Sequence, residues 1–150
     1  MVKRRPLLLA ALLAIAVLLL CARGRSAPNA EPELPPAQVM LDIFSGRPNP
    51  TWSLSPQDTR ALAAMIARQP VAPARELSGR LGYRGFVVTL PEAAGGSARV
   101  TVQDAFVRYE SQEANRFLAD SGRQVERWLI ESAGSSFPAE LRAVVEDSFK

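Results

Sequence analysis

Residues 7–22 read LLLAALLAIAVLLLCA, an apolar run without a charge, preceded by Lys3, Arg4, Arg5 and Pro6. A helix that is hydrophobic all round cannot serve as one face of an ordinary surface helix. Basic residues ahead of such a run stay cytoplasmic while the apolar part inserts into the membrane. Sixteen residues fall short of the ~20 that a comfortable membrane-spanning helix needs, and they suit the apolar centre of an export signal. Residues 1–23 are therefore expected to be a signal peptide or an N-terminal membrane anchor, which leaves the remainder to fold outside the cytoplasm.

Three fates are open to that segment. Ala22-Arg23-Gly24 has the small-x-small pattern of a signal-peptidase site. Leu18-Leu19-Leu20-Cys21 resembles a lipobox, in which Cys21 would become the lipidated first residue, although Leu20 stands where a small residue is expected. The third fate is an uncleaved anchor. Residues 24–37, GRSAPNAEPELPPA, carry four prolines and no hydrophobic period, the composition of an extended spacer. The folded domain is then residues 38–150, of a length suited to one domain.

The net charge of +3 hides an uneven distribution. Lys3, Arg4, Arg5, Arg23 and Arg25 lie in the first 25 residues, which hold no acid; the rest has 13 cations against 15 anions. A nucleic-acid binder carries its basic patch on the folded domain, and no such patch is present, so no nucleic-acid partner is expected. The chain has no His, its one Cys is Cys21, and its only lysines are Lys3 and Lys150. The domain therefore lacks imidazole bases, thiol nucleophiles and Cys/His metal sites. No cofactor and no metal are expected, and no disulfide can form within the domain.

Hydrophobic period and turn residues predict an α+β domain. Residues 39–44 (VMLDIF) read as a strand that ends at the turn-rich Ser45-Gly46-Arg47-Pro48-Asn49-Pro50. Ser55, Pro56 and Asp58 make a helix start. Leu62, Met65 and Ile66, with Ala61 and Ala64, give that helix an apolar face, and Pro70 stops it. Residues 69–84 read as a loop. Strands follow at 86–90, 99–102 and 106–109, with a tight turn at Gln103-Asp104 between the last two. An antiparallel meander of three strands joined by the first strand gives a small sheet of about four strands. Ser121 and Gln124 fit a capping box for a helix ending at Gly134. Val125, Trp128 and Leu129 are its expected core face, and Arg123, Glu126, Arg127 and Glu131 its solvent face. Leu141, Val144, Val145 and Phe149 mark a last amphipathic helix, making about three helices in all.

Three stretches stand out: Asp42-Ile43-Phe44-Ser45-Gly46-Arg47-Pro48-Asn49-Pro50-Thr51-Trp52, Leu81-Gly82-Tyr83-Arg84-Gly85-Phe86 and Val125-Glu126-Arg127-Trp128-Leu129. On these the chain resembles a family of small exported bacterial proteins of unknown function, over most of residues 39–134. The resemblance implies an exported location. It brings no activity, substrate or catalytic residue.

The first stretch supplies the candidate binding residues. Its prolines restrict the backbone, so Ser45, Arg47 and Asn49 would present a hydroxyl, a planar cation and an amide to a carboxylate, phosphate or sugar. Trp52 would add a stacking face, and Tyr83 and Arg84, in a second glycine-framed turn, would complete a pocket. The competing reading is scaffolding: Arg47 would bond loop carbonyls or pair with Asp42, Trp52 would pack under the first helix, and Tyr83 would be core. Asp42 is the best single carboxylate for acid–base work, because its strand is otherwise apolar. Glu110 and Glu113 fall in a polar connection. The expected function is a non-enzymatic binding or interaction module of the cell envelope, periplasmic or secreted. It would take a partner protein or small ligand and meet the membrane only through its N-terminal segment. The alternatives are a carboxylate-dependent hydrolase of envelope polysaccharide and a structural or assembly subunit.

Overall fold

The computed structural model describes residues 34–79 and 81–149. The expected signal or anchor at 1–23, with Cys21, and residues 24–33 of the expected linker lie outside the described residues. No helix among the described residues is long and apolar enough to cross a membrane.

The described residues form one antiparallel sheet of six strands with three α-helices. The strands are β1 (Gln38–Leu41), β2 (Thr51–Ser53), β3 (Phe86–Pro91), β4 (Ser97–Gln103), β5 (Phe106–Glu110) and β6 (Asn115–Ala119), in the spatial order β2-β1-β3-β4-β5-β6. The helices are α1 (Pro56–Ala67), α2 (Gln124–Ser132) and α3 (Ala139–Asp147). The expected meander is β3-β4-β5, and β1 joins it beside β3. Two further strands complete the sheet. β2 folds back on β1 after Pro50, and β6 turns back on β5. The β6 edge does not stay open: Ala119 and Ala72 donate backbone N–H groups to Pro70 O and Phe117 O, at 2.9 and 2.8 Å. The first strand stops at Leu41, three residues short of the expected Phe44, because Ile43 and Phe44 turn their N–H groups to a side chain of the loop.

Alternation along the strands puts Val39, Leu41, Phe86, Val88, Val100 and Val102 on one face, all fully buried. They share a core with Leu62 and Ile66 of α1, Val125 and Leu129 of α2, and Val145 of α3. Each such side chain contributes about 1.5–3 kcal/mol on leaving water. Thr59 and Ala63 of α1 turn inward, whereas Ala61 and Ala64, expected on its apolar face, are exposed. Ala37, placed at the end of the linker, is buried. It donates its N–H to Thr59 Oγ1 at 2.9 Å, and its carbonyl accepts from Leu54 N. The cap of α1 is as expected: Ser55 Oγ accepts from Asp58 N at 3.0 Å.

On the opposite face a strap of residues 73–79 crosses β4 and β5. Gln103, buried, holds it through Ser78 N to Oε1 at 2.8 Å and Nε2 to Ser78 O at 3.0 Å. The Arg75 guanidinium lies 4.4 Å over the Phe106 ring. Gln103 is thus the last residue of β4, and the β4–β5 turn is made by Asp104 and Ala105, one position later than expected. Their φ values of 51° and 60° are both left-handed, the geometry of a two-residue hairpin turn that usually draws on glycine.

Candidate functional site

The two glycine-framed stretches meet at one end of the sheet, where β1 ends and β3 begins. Their backbones exchange hydrogen bonds, Asp42 N to Gly85 O at 2.9 Å and Arg84 N to Asp42 O at 2.8 Å. Only glycine permits this approach. Gly85 has φ +96°, and a Cβ there would sit 2.2 Å from the Val102 carbonyl oxygen. Asn49 then closes the loop on itself. Its Oδ1 accepts from Ile43 N (3.1 Å) and Phe44 N (2.8 Å), and its Nδ2 donates to Asp42 Oδ1 at 3.1 Å. Arg84 Nη2 donates to the same Asp42 oxygen at 2.5 Å and to Phe44 O at 2.9 Å. The hydrogen bond to Asp42 pushes the Arg84 guanidinium still further above its already high range.

The partner of Asp42 is therefore Arg84, not Arg47. Arg47 is exposed and lies flat over the Phe44 ring, 3.4 Å from its centroid. Ser45 accepts a long hydrogen bond from Arg84 Nη1, 3.4 Å. Of the six candidate binding residues, Ser45, Asn49 and Arg84 come together around Asp42, with Arg47 on their outer side. Trp52 and Tyr83 turn away into the core layer. Trp52 packs edge-on against Phe86 and Phe137 and donates to Ser132 Oγ of α2 at 3.2 Å, so it lies against α2 and not under the first helix. Tyr83 sets its ring edge against Phe86 and Phe149 and donates its hydroxyl to Glu126 Oε1 at 2.8 Å.

Glu126, expected on the solvent face of its helix, is fully buried. Its Oε1 also accepts from Asp104 N (2.9 Å), and its Oε2 from Ala105 N (3.2 Å) and Arg123 Nη1 (2.9 Å). The glycine-free hairpin turn is thus fastened by a carboxylate. Burial first, and the Glu126 carboxylate next, push the Tyr83 phenol far above its ordinary range. The helix spacing carried a signal for Glu126, because positions 126, 129 and 130 share a face, and Leu129 and Ile130 are buried. The start of α2 also differs from the expected capping box. Residues Ser121–Arg123 form a 3₁₀ turn, and buried Asp120 accepts from Val125 N (3.0 Å) and Glu126 N (3.1 Å).

A different arrangement occupies the other end of the sheet. An open groove of about 500 Å³ lies between the C-terminal half of α1, the β3–β4 loop and the β5–β6 loop. Ala63, Ile66 and Ala67 form one wall, and Leu90 and Tyr109 face it. The Tyr109 hydroxyl donates to Glu92 Oε1 at 2.5 Å, and the Arg116 guanidinium lies 4.6 Å over the Tyr109 ring. Burial, and then the bond to Glu92, raise the Tyr109 phenol above its usual range. Among the described residues neither Glu92 nor Arg116 takes part in an ion pair. Sequence reasoning singled out none of these three, since they come from a loop and two strands with no common spacing.

Compared with known protein families, curated proteins and solved structures, the chain matches none.

Among the described residues no three His, Cys, Asp or Glu side chains converge as metal ligands. The two ends of the sheet therefore differ in what they can do. At the motif end the donors and acceptors bond mainly to one another. In the groove a carboxylate, a phenol and a guanidinium stand beside an apolar wall, and the carboxylate and guanidinium form no ion pair among the described residues.

Proposed function

We propose that the chain is an exported, non-enzymatic binding module of the cell envelope, and that the groove beside α1 is its small-ligand site. The observation that carries this is the contrast between the carboxylates. Asp42, Asp120 and Glu126 are each held by internal donors, whereas Glu92 gives one oxygen to Tyr109 and faces a groove with Arg116. The volume falls within the about 300–1,000 Å³ of small-molecule sites, and an apolar wall with few polar groups is their usual lining. Export is supported by the basic and apolar pattern of residues 1–23. In this reading the motif is the frame that fixes the opposite end of the sheet.

A hydrolase reading would use Asp42 as its acid or base, and that carboxylate already accepts from Arg84 and Asn49. One observation favours a second binding surface: Arg47 is exposed and held by stacking over Phe44. A preorganised guanidinium of this kind suits an anionic group on a partner. A structural or assembly subunit would use the same exposed turn without the groove.

The test is a thermal-shift screen of the full chain against polar small molecules, repeated on Ala67→Phe, which fills the groove from an exposed helix position. A ligand that raises the melting temperature of the wild type and not of the variant supports the groove. A ligand that protects both equally places binding elsewhere.

A further inference from the structure

The groove carries charges of both signs that leave each other unpaired. Glu92 enters from the β3–β4 loop and Arg116 from β6, and both meet Tyr109, one at its hydroxyl and the other on its ring face. An acid and a base placed in one groove would ordinarily close on each other, and these form no ion pair. Each therefore keeps a valence: Glu92 has its second oxygen, and Arg116 has a planar fork of N–H donors. Glu113 on the same rim adds a second carboxylate. Beside these charges the wall formed by Ala63, Ile66 and Ala67 offers only methyl and methylene groups.

A ligand that satisfies Glu92, Arg116 and the α1 wall together carries a cation for Glu92, a carboxylate for Arg116 and an aliphatic body. A simple anion would leave Glu92 facing its charge, and a simple amine would leave Arg116 unmatched. Both mismatches cost affinity, because a polar group displaced from water without a partner is penalised. We infer that the groove binds a free α-amino acid with an aliphatic side chain, its ammonium on Glu92 and its carboxylate on Arg116. The inference rests on the groove being the ligand site and adds the class of ligand.

The experiment is a calorimetric titration of the full chain with leucine, with its deaminated acid and with its decarboxylated amine. These three share one side chain and differ only in the charged groups. Leucine should bind at least about tenfold more tightly than either analogue, since each lost pair is a charge-assisted bond. Arg116→Gln should abolish the preference for leucine over the amine, and Glu92→Gln the preference over the acid. Both are substitutions at the rim of the groove, and the wild-type comparison stands without them.

The amino-acid assignment is overturned if leucine fails to bind at millimolar concentration, or binds no better than its analogues. It is also overturned if the two preferences survive both substitutions. Failure of the groove itself has a different signature: leucine binding that Ala67→Phe leaves intact. Conversely, a ligand of another class whose binding Ala67→Phe abolishes would sink the amino-acid assignment and leave the groove standing.

Discussion

Asp42 and Arg84 are 42 positions apart in the chain, yet their side chains meet at 2.5 Å and their backbones are hydrogen-bonded as neighbours. This contact joins the end of β1 to the loop that leads into β3. It also takes up Asp42, the carboxylate best suited by sequence to acid–base work.

The contact gives an order of effects. Asn49→Ala leaves the N–H groups of Ile43 and Phe44 without their acceptor and should cost about 1–3 kcal/mol. Arg84→Ala should lower the denaturant midpoint as well, because it strips Phe44 O of its side-chain donor and leaves the Asp42 carboxylate with Asn49 alone. Arg47→Ala removes one exposed stacking contact and should cost no more than about 1 kcal/mol. Urea unfolding of the three variants checks the order. An Arg47→Ala loss larger than that of Asn49→Ala would reverse the assignment of frame and surface.

Glu126 is the most consequential buried polar group. Glu126→Ala leaves a hydroxyl and two backbone N–H groups without their acceptor and Arg123 with only its longer pairing to Asp104, and should cost about 3–5 kcal/mol. Ala105, at φ 60°, carries a left-handed strain of about 1–2 kcal/mol that glycine would relieve. Ala105→Gly should therefore stabilise the wild type modestly and recover part of the stability lost in Glu126→Gln. Unfolding of the single and double variants measures both effects.

Gly85→Ala should be among the most damaging single-methyl additions. The new Cβ would lie 2.2 Å from Val102 O and 2.9 Å from Gln103 Cβ, at a φ of +96°. Backbone strain and overpacking together should cost about 3 kcal/mol. Gly46→Ala shares a positive φ but meets open space, so it should cost less. Melting temperatures of the pair separate the two contributions.

The two tyrosines, Tyr83 and Tyr109, make the domain sensitive to alkali. Both phenols are raised in the folded state, by burial first and by a carboxylate next. In the unfolded chain they ionise near pH ~10. Below that pH both states hold the proton and stability is unaffected. Above it the unfolded state has released protons that the folded state keeps, so stability falls as pH rises, by about 1.4 kcal/mol per unit for Tyr83. Tyrosinate absorbance should therefore appear together with loss of circular dichroism. Ionisation near pH ~10 in a protein that stays folded would contradict the two bonds.

What the sequence made legible follows the strength of local signals. The β3-β4-β5 meander has clear alternation, and the α1 start has a cap residue, a proline and an acid in sequence. The missing strands are short or polar. β2 is three residues after two prolines, and β6 (NRFLA) takes its strand form from pairing with β5 on one side and Pro70–Ala72 on the other. Within the motif the residue types pointed to a bonded turn, but only the fold decides between Arg47 and Arg84 as the partner of Asp42. Glu126 was masked by its charge, since helix spacing alone placed it beside Leu129. The groove left no trace, because Glu92, Tyr109 and Arg116 converge only through the sheet register, in which Tyr109 sits opposite Arg116.

The central claim is that ligand binds at the groove end of the sheet while the motif end serves as frame. The most direct measurement is amide chemical-shift mapping of the full chain during titration with leucine. The account predicts shifts confined to residues 63–67, 90–97 and 109–116. Shifts centred on residues 42–52 and 81–86 would contradict it and make the exposed turn around Arg47 the binding surface.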